Sequence, residues 1–294
     1  GMAANHIVGG MSIWTNFSSS NFENDQTFTS VQLDSNAFDG DASAMTVGID
    51  KQIGNFVVGL AYTGFDSDID VSVNKGNITT EGETLGMYVG LNTGSVSVSA
   101  GAGQGEYEID TTREDLGSGL TITASDITAD VLYYHVGVSG MINRGKLTFT
   151  PRANYRSFEI DVPAFTDIVP NDGNSIGNTK FTTADEAVSG QTYSSDMSEL
   201  GLSVALAINA KLTPYFDVAY VNESTTSAAY NIEATTDGTA SDLAASAPDG
   251  YVTYGGGLIL NLASKMSGYV SVSETTNRND YSETTVSGSL RLKF

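Results

Sequence analysis

The carboxyl-terminal stretch of the chain alternates strictly between apolar and polar side chains. Its apolar phase comprises Val286, Gly288, Leu290, Leu292 and Phe294. The positions between them are Ser287, Ser289, Arg291 and Lys293. Because successive side chains of a β-strand point to opposite faces, this stretch predicts a strand with one apolar and one polar face. Such a strand fits a soluble sheet with its apolar face in a core. It equally fits a membrane barrel whose apolar face meets lipid.

The same two-residue alternation recurs along the whole chain. We identify eleven further strand candidates, at residues 11–17, 45–49, 56–65, 85–91, 96–102, 132–138, 147–155, 200–208, 212–220, 252–260 and 266–272. The five short turns between them lie at residues 51–55, 92–95, 143–145, 210–211 and 263–265. They alternate with six longer connections, of which 157–198 and 222–250 are the longest and are acidic. This regular order predicts an antiparallel meander whose short turns all lie at one end.

This organisation is typical of a transmembrane β-barrel. Such barrels have an even number of antiparallel strands, short turns on one side of the membrane and long loops on the other. A tilted membrane strand needs about 9–11 residues. A soluble β-sandwich, the alternative together with a solenoid, has turn signals every ~8–12 residues at both ends. The sequence therefore predicts an all-β fold. The predicted fold is a single 12-stranded antiparallel transmembrane barrel over residues 11–294, preceded by a tether at residues 1–10.

Composition removes several classes of function. The formal net charge is −22, whereas nucleic-acid binding needs clustered cations, so we expect no nucleic-acid partner. The chain has no cysteine, which removes disulfides, thiol chemistry and thiolate metal sites. The sequence lacks an apolar run of about 18 residues, which argues against a transmembrane helix but not against alternating strands. We expect neither a cofactor nor a bound metal ion.

Five local motifs occur in a fixed order after Trp14, which opens the first strand. They are Thr46-Val-Gly-Ile-Asp50, Val57-Val-Gly-Leu-Ala-Tyr62, Leu147-Thr-Phe-Thr-Pro151, Leu212-Thr-Pro-Tyr-Phe216 and Ser287-Gly-Ser-Leu-Arg-Leu-Lys-Phe294. In their order and spacing over residues 11–294, they resemble the translocator (β-barrel) domain of bacterial autotransporters, which secrete protein by the type V route. Each motif alone is short, so the resemblance rests on the set.

The resemblance implies a domain of the bacterial outer membrane that anchors an amino-terminal passenger and supports its export. The implied partners are outer-membrane lipid and lipopolysaccharide, the barrel-assembly machinery and the chain's own passenger segment, with the barrel a monomer. It also implies that Leu290, Leu292 and Phe294 form a carboxyl-terminal assembly signal. Relatives carry a plug helix before the first strand. A helix of ~30 Å needs about 20 residues, so we expect residues 1–10 to be a remnant of the linker or plug.

One face of the strands is expected to line the lumen. We place eight pore-lining candidates there: Arg152, Arg156, Arg291, Lys293, Asp130, Tyr133, His135 and Asp217. The cations could pair with the acids across a narrow lumen, or they could select anions or hold a plug. We favour structural pairing, because cations in any lumen need acids or water.

No pattern of residues indicates catalysis, and we predict that the protein is not an enzyme. A hydrolytic triad needs a histidine, a nucleophile and an orienting group, and no such signature surrounds His135. The Asp66-Ser-Asp68-Ile-Asp70 stretch has alternating acids but lacks the sixth-position glycine of a calcium loop. The alternative to export is an outer-membrane channel for small solutes, again of twelve strands. A third hypothesis is a barrel enzyme acting on lipid or peptide.

The barrel hypothesis fixes the geometry expected of the strands. The side chains expected to face lipid are Leu147, Phe149, Val204, Leu206, Leu290 and Leu292, whereas Arg152, Ser203 and Arg291 should face the lumen. The rings expected outward at headgroup level are Tyr134, Tyr155, Phe216, Tyr220 and Tyr254. The last strand should pair with residues 11–17, because lipid cannot satisfy an open sheet edge. Both termini and the short turns should then lie at the periplasmic end. Pro151 should cause a bulge or a missing ladder bond.

Overall fold

The fold consists of long antiparallel strands. The computed structural model describes residues 10–25, 37–72, 75–114, 119–169, 175–176, 179–180, 185–226, 250–278 and 281–294. The predicted tether lies outside these residues except for Gly10, as do residues 227–249 of the 222–250 connection. The long strands are β1 Met11–Asn24, β2 Phe38–Ile53, β3 Phe56–Val71, β4 Gly76–Asn92, β5 Val96–Glu114, β6 Thr121–Gly140, β7 Leu147–Val162, β8 Gln191–Leu206, β9 Leu212–Thr226, β10 Tyr251–Ala263, β11 Met266–Arg278 and β12 Tyr281–Lys293.

Consecutive long strands pair with each other, and the first strand also pairs with the last, so that the sheet closes on itself. β1 pairs with β12 from Ser12↔Lys293 to Asn24↔Tyr281, and it pairs with β2 from Met11↔Lys51 onward. The amide of Phe294 donates a further hydrogen bond to the carbonyl of Met11 at 2.9 Å. The prediction of a 12-stranded barrel closed by its first and last strands is therefore confirmed. Within the described residues, closure leaves no unpaired edge along the spanning part of the wall.

The two ends of the barrel differ. The connections at one end are 54–55, 93–95, 141–146, 207–211 and 264–265, and both Gly10 and Phe294 lie at this end. We call it the turn end. The opposite end, which we call the mouth, carries the longer connections 25–37, 115–120, 163–190 and 227–250 and the shorter 72–75 and 279–280. The five predicted short turns lie together at one end, and the longest connections lie at the other. Two of the six connections predicted to be longer, 72–75 and 279–280, are as short as the turns, because their flanking strands extend further than predicted.

Among the described residues, five short strands belong to the connections. They are Ile142–Arg144 at the turn end and Phe165–Asp167, Ser175–Ile176, Thr179–Lys180 and Glu186–Val188 between β7 and β8. Ile142–Arg144 continues the β6–β7 ladder in the same register after a gap between Ser139↔Arg152 and Ile142↔Phe149. Pro151 lies in that gap. As expected, the ladder lacks a hydrogen bond at Pro151, because proline has no backbone donor. The register does not shift, because proline fits the extended backbone.

The outer face of the wall carries an exposed apolar band. Its exposed members include Val47, Leu60, Leu85, Val136, Leu147, Leu206, Phe216, Leu258, Val272, Leu290 and Leu292. Val204 and Phe149 lie in the same phase and are half-buried by their neighbours. Soluble proteins rarely expose a contiguous apolar surface of this kind, whereas lipid favours it. Among the described residues, we find no helix suited to cross a bilayer.

Candidate functional site: the interior of the barrel

The inner face at the turn end holds a connected polar cluster, which we call the turn-end cluster: Trp14, Asp50, Tyr88 and Arg291. The guanidinium of Arg291 donates two hydrogen bonds to the Asp50 carboxylate, at 2.7 and 3.2 Å. The hydroxyl of Tyr88 donates to the same carboxylate at 2.8 Å and accepts from the Trp14 indole at 2.7 Å. The Asp50 side chain is 3% exposed and that of Arg291 17%. The cluster thus links β12, β1, β2 and β4 on the inner wall.

Two glycines make room for the rings of the turn-end cluster. Gly48 lies opposite Trp14 in the β1–β2 ladder, and Gly59 lies opposite Tyr88 in the β3–β4 ladder. A Cβ atom at either glycine would overlap the facing ring. The rings therefore lie flat across the neighbouring strand instead of standing in the lumen, which brings the Tyr88 hydroxyl over β3 to Asp50. Glycine serves here because only it permits the close approach.

A second group, the arginine cluster, lies on the inner face of β7, β8 and β9. Arg152 donates from Nε to Glu199 at 2.6 Å and from its two terminal nitrogens to Asp217 at 2.5 and 2.8 Å. Asn154 donates to Glu199 at 3.0 Å, and Arg156 lies 3.5 Å from that carboxylate. A bidentate arginine–carboxylate pair is stronger and more directional than a neutral hydrogen bond. Arg152 is therefore held firmly against the wall.

The arginine cluster repeats the geometry of the turn-end cluster. Arg152 lies opposite Gly201 on β8, and a Cβ atom at Gly201 would come within 2.6 Å of the guanidinium carbon. Its partner Asp217 is on β9, the strand beyond, just as Asp50 lies one strand beyond the neighbour of Arg291. In both cases the arginine joins strands that do not touch each other. A half-buried charge needs such a partner, because an unpaired charge in this position is costly.

Tyr133 and His135 lie on the inner face of β6 over a track of glycines. A Cβ atom at Gly103 would lie 2.5 Å from the Tyr133 ring, and the Tyr133 hydroxyl reaches further, to Gly86 on β4. The His135 ring lies in the same way over Gly101, 2.5 Å from a Cβ built there. Across the other ladder, His135 lies opposite Arg156. Both rings therefore lie flat over neighbouring strands, as the rings of the turn-end cluster do.

The mouth end of the interior is lined by aromatic rings around a further arginine. We call Glu223, Tyr251, Arg278 and Tyr281 the mouth cluster. Arg278 donates to Glu223 at 2.9 Å, and its guanidinium carbon lies 4.9 Å from the ring centre of Tyr251 and 4.3 Å from that of Tyr281. These distances are within the range of a cation–π interaction. Phe22 stacks on Tyr281 at 6.4 Å, which extends the cluster to β1.

The eight predicted pore-lining residues do not all share one face. Arg152, Arg156 and Asp217 come together in the arginine cluster, Arg291 lies in the turn-end cluster, Lys293 is two residues beyond it, and Tyr133 and His135 lie over the glycine track. Asp130 is the exception, and its placement was wrong. It is exposed on the outer face, in the phase of Leu132 and Tyr134 and opposite Glu106 and Asp161. Proximity in sequence to His135 had suggested the wrong side.

Two acids that complete the inner clusters were not among the sequence predictions. Asp50 and Glu199 both stand in the inward phase of their strands, beside the outward Ile49 and Leu200. Pairing every inward cation with inward acids on the next strand or the one beyond it would have identified both. A count of charges per strand could not, because Glu199 lies on the strand next to Arg152, and Asp50 is separated from Arg291 by the whole of β1.

The outer face changes character towards the mouth. Tyr134, Tyr155, Tyr220 and Tyr254 project outward as predicted, and so does Phe216 nearer the turn end. Three outward tyrosines donate to carboxylates: Tyr62 to Glu83, Tyr155 to Asp196 at 2.9 Å and Tyr254 to Glu274 at 2.5 Å. Further acids follow on the mouth side: Asp39, Asp41, Asp66, Asp68, Asp70, Glu81, Glu106, Glu108, Asp110, Asp130, Glu159 and Asp161. The apolar band therefore ends at a row of tyrosines with an acidic belt beyond it.

The arrangement provides a polar passage lined by paired charges. Within the part of the chain that the structure describes, no group of three or more His, Asp or Glu side chains is placed to hold a metal ion. The inward arginines are engaged by carboxylates, so the wall presents paired charges to the lumen. Such a wall can contact a hydrated polypeptide or solute without strong preference for one sign of charge.

Comparison with known proteins identifies the same architecture elsewhere. The family described as "Autotransporter beta-domain" matches residues 13–273. Among the curated proteins, none matches the sequence.

Solved structures of similar fold include three autotransporter domains. The translocator domain of NalP from Neisseria meningitidis superposes with a TM-score of 0.73 at 13% identity, over 99% of this chain and 90% of that one. The β-domain of the Bordetella autotransporter BrkA gives 0.71 at 14% identity, over 97% and 99%. The transport unit of AIDA-I from Escherichia coli gives 0.50 at 10% identity, over 96% and 90%. At such identities the likeness concerns the fold.

Proposed function

Because the chain belongs to the family of autotransporter β-domains, we propose that its barrel anchors and exports a passenger segment attached to its amino-terminal end. As a member of that family it is a translocator domain of the bacterial outer membrane. The single observation that supports the proposal most is the closed wall with an apolar outer band and a charge-paired polar interior. A segment passing through needs a hydrated lumen, which such a wall provides.

We assign the turn end to the periplasm and the mouth to the cell exterior. Short turns and both described chain ends lie together at the turn end, where a passenger would begin its path. The row of tyrosines then marks the outer headgroup level, and the acidic belt lies in water beyond it. Lipid would contact the apolar band, and lipopolysaccharide would meet the tyrosines.

The carboxyl-terminal strand supports a proposed contact with the barrel-assembly machinery. Leu290 and Leu292 on β12, the strand that closes the barrel, and Phe294 directly after it are exposed in one outward row. Before closure, the β12 edge that finally pairs with β1 is free to pair with another protein by strand addition. Deleting Phe294 should then impair insertion, which a loss of heat-modifiable gel migration would report.

Surface display tests the proposed export. A folded-epitope passenger is joined to residue 1 through an unstructured linker long enough to pass strands of 13–20 residues, which rise ~3.3 Å per residue. We expect added protease to remove the epitope from intact cells while the barrel keeps its heat-modifiable migration. As the control, the same fusion lacking β12 should yield neither a folded barrel nor surface epitope. A folded, inserted barrel whose epitope stays shielded in intact cells would contradict export.

The same polar interior also fits the alternative, a channel for small solutes. The barrel reconstituted without a passenger distinguishes the two. Solute uptake by vesicles together with failed display favours a channel, whereas display with any conductance favours export. We rank export first because the family match covers most of the chain, whereas a polar lumen is common to both functions.

A further inference from the structure

The β6 strand extends beyond its partner at the mouth. β7 pairs with β6 only from Ser139↔Arg152 to Asp130↔Asp161, and residues 121–129 of β6 continue past the end of this ladder. On its other edge, β6 stays paired with β5 as far as Glu114↔Thr121. One edge of β6 is therefore left at the mouth without β7. An uncovered edge of this kind offers backbone donors and acceptors to another segment.

The segment that follows β7 covers part of this edge. We call residues 163–168 the strap. Ile168 and Thr123 exchange two backbone hydrogen bonds, at 2.8 and 3.2 Å, as an isolated antiparallel bridge. Within the strap, Phe165–Asp167 also pairs with Glu186–Val188, the part of the connection that leads back to β8. The strap is thus held between the β6 edge and its own returning strand.

A buried ion pair fixes the strap to the inner rim. The Asp167 carboxylate lies 2.5 Å from the guanidinium of Arg113 on β5, with side-chain exposures of 0% and 25%. Asp167 points to the side opposite Ile168, which is exposed, and Arg113 lies in the inward phase of β5. The pair therefore reaches across β6 on the lumen side. Arg113 is the one cation that contacts Asp167 among the described residues, and neither carboxylate oxygen makes a well-aligned hydrogen bond there.

We propose that the Arg113–Asp167 ion pair is a latch that holds the strap inside the mouth and narrows it. A fully buried carboxylate is strongly unfavourable without its cation. Once the pair is broken, the two backbone bonds of Ile168 remain as the strap's attachment to β6. Each such bond contributes little in the presence of competing water. The strap then leaves the rim, and the mouth widens. This inference concerns the barrel itself and applies equally to an exporter and to a channel.

Hydrogen exchange and conductance together test the latch on the refolded full chain. In Arg113→Gln and Asp167→Asn variants, the Ile168 amide should exchange about tenfold faster, and the single-barrel conductance in planar bilayers with potassium chloride should rise. The matched control is Lys75→Gln, which breaks the exposed Lys75–Glu114 pair at the same end of the barrel. Both quantities should be unchanged in the control.

A disulfide can replace the latch. The chain has no cysteine, so a Thr123→Cys/Ile168→Cys pair introduces the only thiols. Hydrogen-bonded antiparallel neighbours have Cα atoms about 5.5 Å apart, a separation that a disulfide spans. In the Arg113→Gln background, oxidation should restore the low conductance and reduction should raise it again.

Each outcome decides the proposal. Unchanged exchange of Ile168 in both latch variants would overturn it, whether or not current flows. Faster exchange with unchanged conductance would show that the strap is released without widening the mouth, which also overturns it. Failure of the export proposal would appear instead in surface display, with the latch measurements unaffected.

Discussion

The turn end and the mouth of the barrel each contain a buried carboxylate paired with one arginine, yet the two pairs hold different things together. At the turn end, Asp50 and Arg291 belong to strands of the wall, and Tyr88 completes the carboxylate's hydrogen bonds. At the mouth, Asp167 belongs to a connection, and among the described residues Arg113 is its sole charged contact. The first pair lies within a continuous ladder, whereas the second fastens a connection whose described backbone pairing with the wall is the single Thr123↔Ile168 bridge.

This difference separates structural from movable ion pairs. Breaking the turn-end pair leaves Asp50 buried, because β1, β2 and β3 cannot move away without opening the sheet. Breaking the mouth pair lets Asp167 reach water as the strap leaves the rim. The free energy lost should therefore appear as global destabilisation at the turn end and as local opening at the mouth.

The largest effect on stability is expected for Arg291→Met. The substitution leaves Asp50 uncompensated, and removal of one partner of a buried pair costs about 3–5 kcal/mol. Urea unfolding in lipid vesicles can be followed through Trp14, the only tryptophan in the chain and a member of the same cluster. Lys265→Met, an exposed change in a neighbouring turn, serves as control. Equal midpoints for the two variants would refute the structural role of the pair.

A smaller loss is expected for Gly59→Val. The new side chain overlaps the Tyr88 ring and should push its hydroxyl away from Asp50, and such overpacking costs about 1–3 kcal/mol. Gly64→Val on the same strand is the matched control, because a Cβ atom there meets nothing within 4 Å. The Trp14 emission should shift in the first variant and not in the second. Identical spectra and stabilities would show that the ring does not need the glycine.

Asp167→Asn should lower the global unfolding free energy by only about 1 kcal/mol, because local opening relieves the unpaired Arg113. The same urea titration measures it beside Arg291→Met. A loss as large as that of Arg291→Met would erase the distinction between the two ends and would make the mouth pair part of the wall.

The smallest effect is expected for Asp130→Asn. An exposed carboxylate on the outer face, beside Glu106 and Asp161, contributes within about 0.5 kcal/mol. Its removal should leave the conductance of the barrel unchanged, since it does not line the lumen. A conductance change as large as that of Asp217→Asn would show that the Asp130 side chain lines the lumen.

Strand alternation was sufficient to predict most of the wall from the sequence. It places Leu290 outward and Arg291 and Arg152 inward. The pairing of β1 with β12 was predicted from a separate argument, that lipid cannot satisfy an open sheet edge. It would also have placed Asp130 correctly, had its shared phase with Leu132 been given more weight than its closeness to His135.

The contacts that depend on two ladders at once could not be read from alternation. Asp50 meets Arg291 only because β1 lies between them in one particular register, and Tyr88 reaches Asp50 only across Gly59. The strap could not be predicted from the sequence for another reason. Residues 163–168 belong to an acidic connection without alternation. The length by which β6 extends beyond β7 cannot be predicted from the local sequence of either strand.

Cross-linking of the first and last strands tests the closed barrel most directly. Asn16 lies opposite Ser289, and the natural sequence contains no cysteine. The double variant Asn16→Cys/Ser289→Cys should therefore form an intramolecular disulfide in outer membranes under mild oxidation. The off-register pair Asn16→Cys/Ser287→Cys is the control and should form it poorly. Efficient intramolecular cross-linking of the first pair is the predicted result. Efficient cross-linking only of the control pair, or disulfides only between separate chains, would contradict the closed barrel.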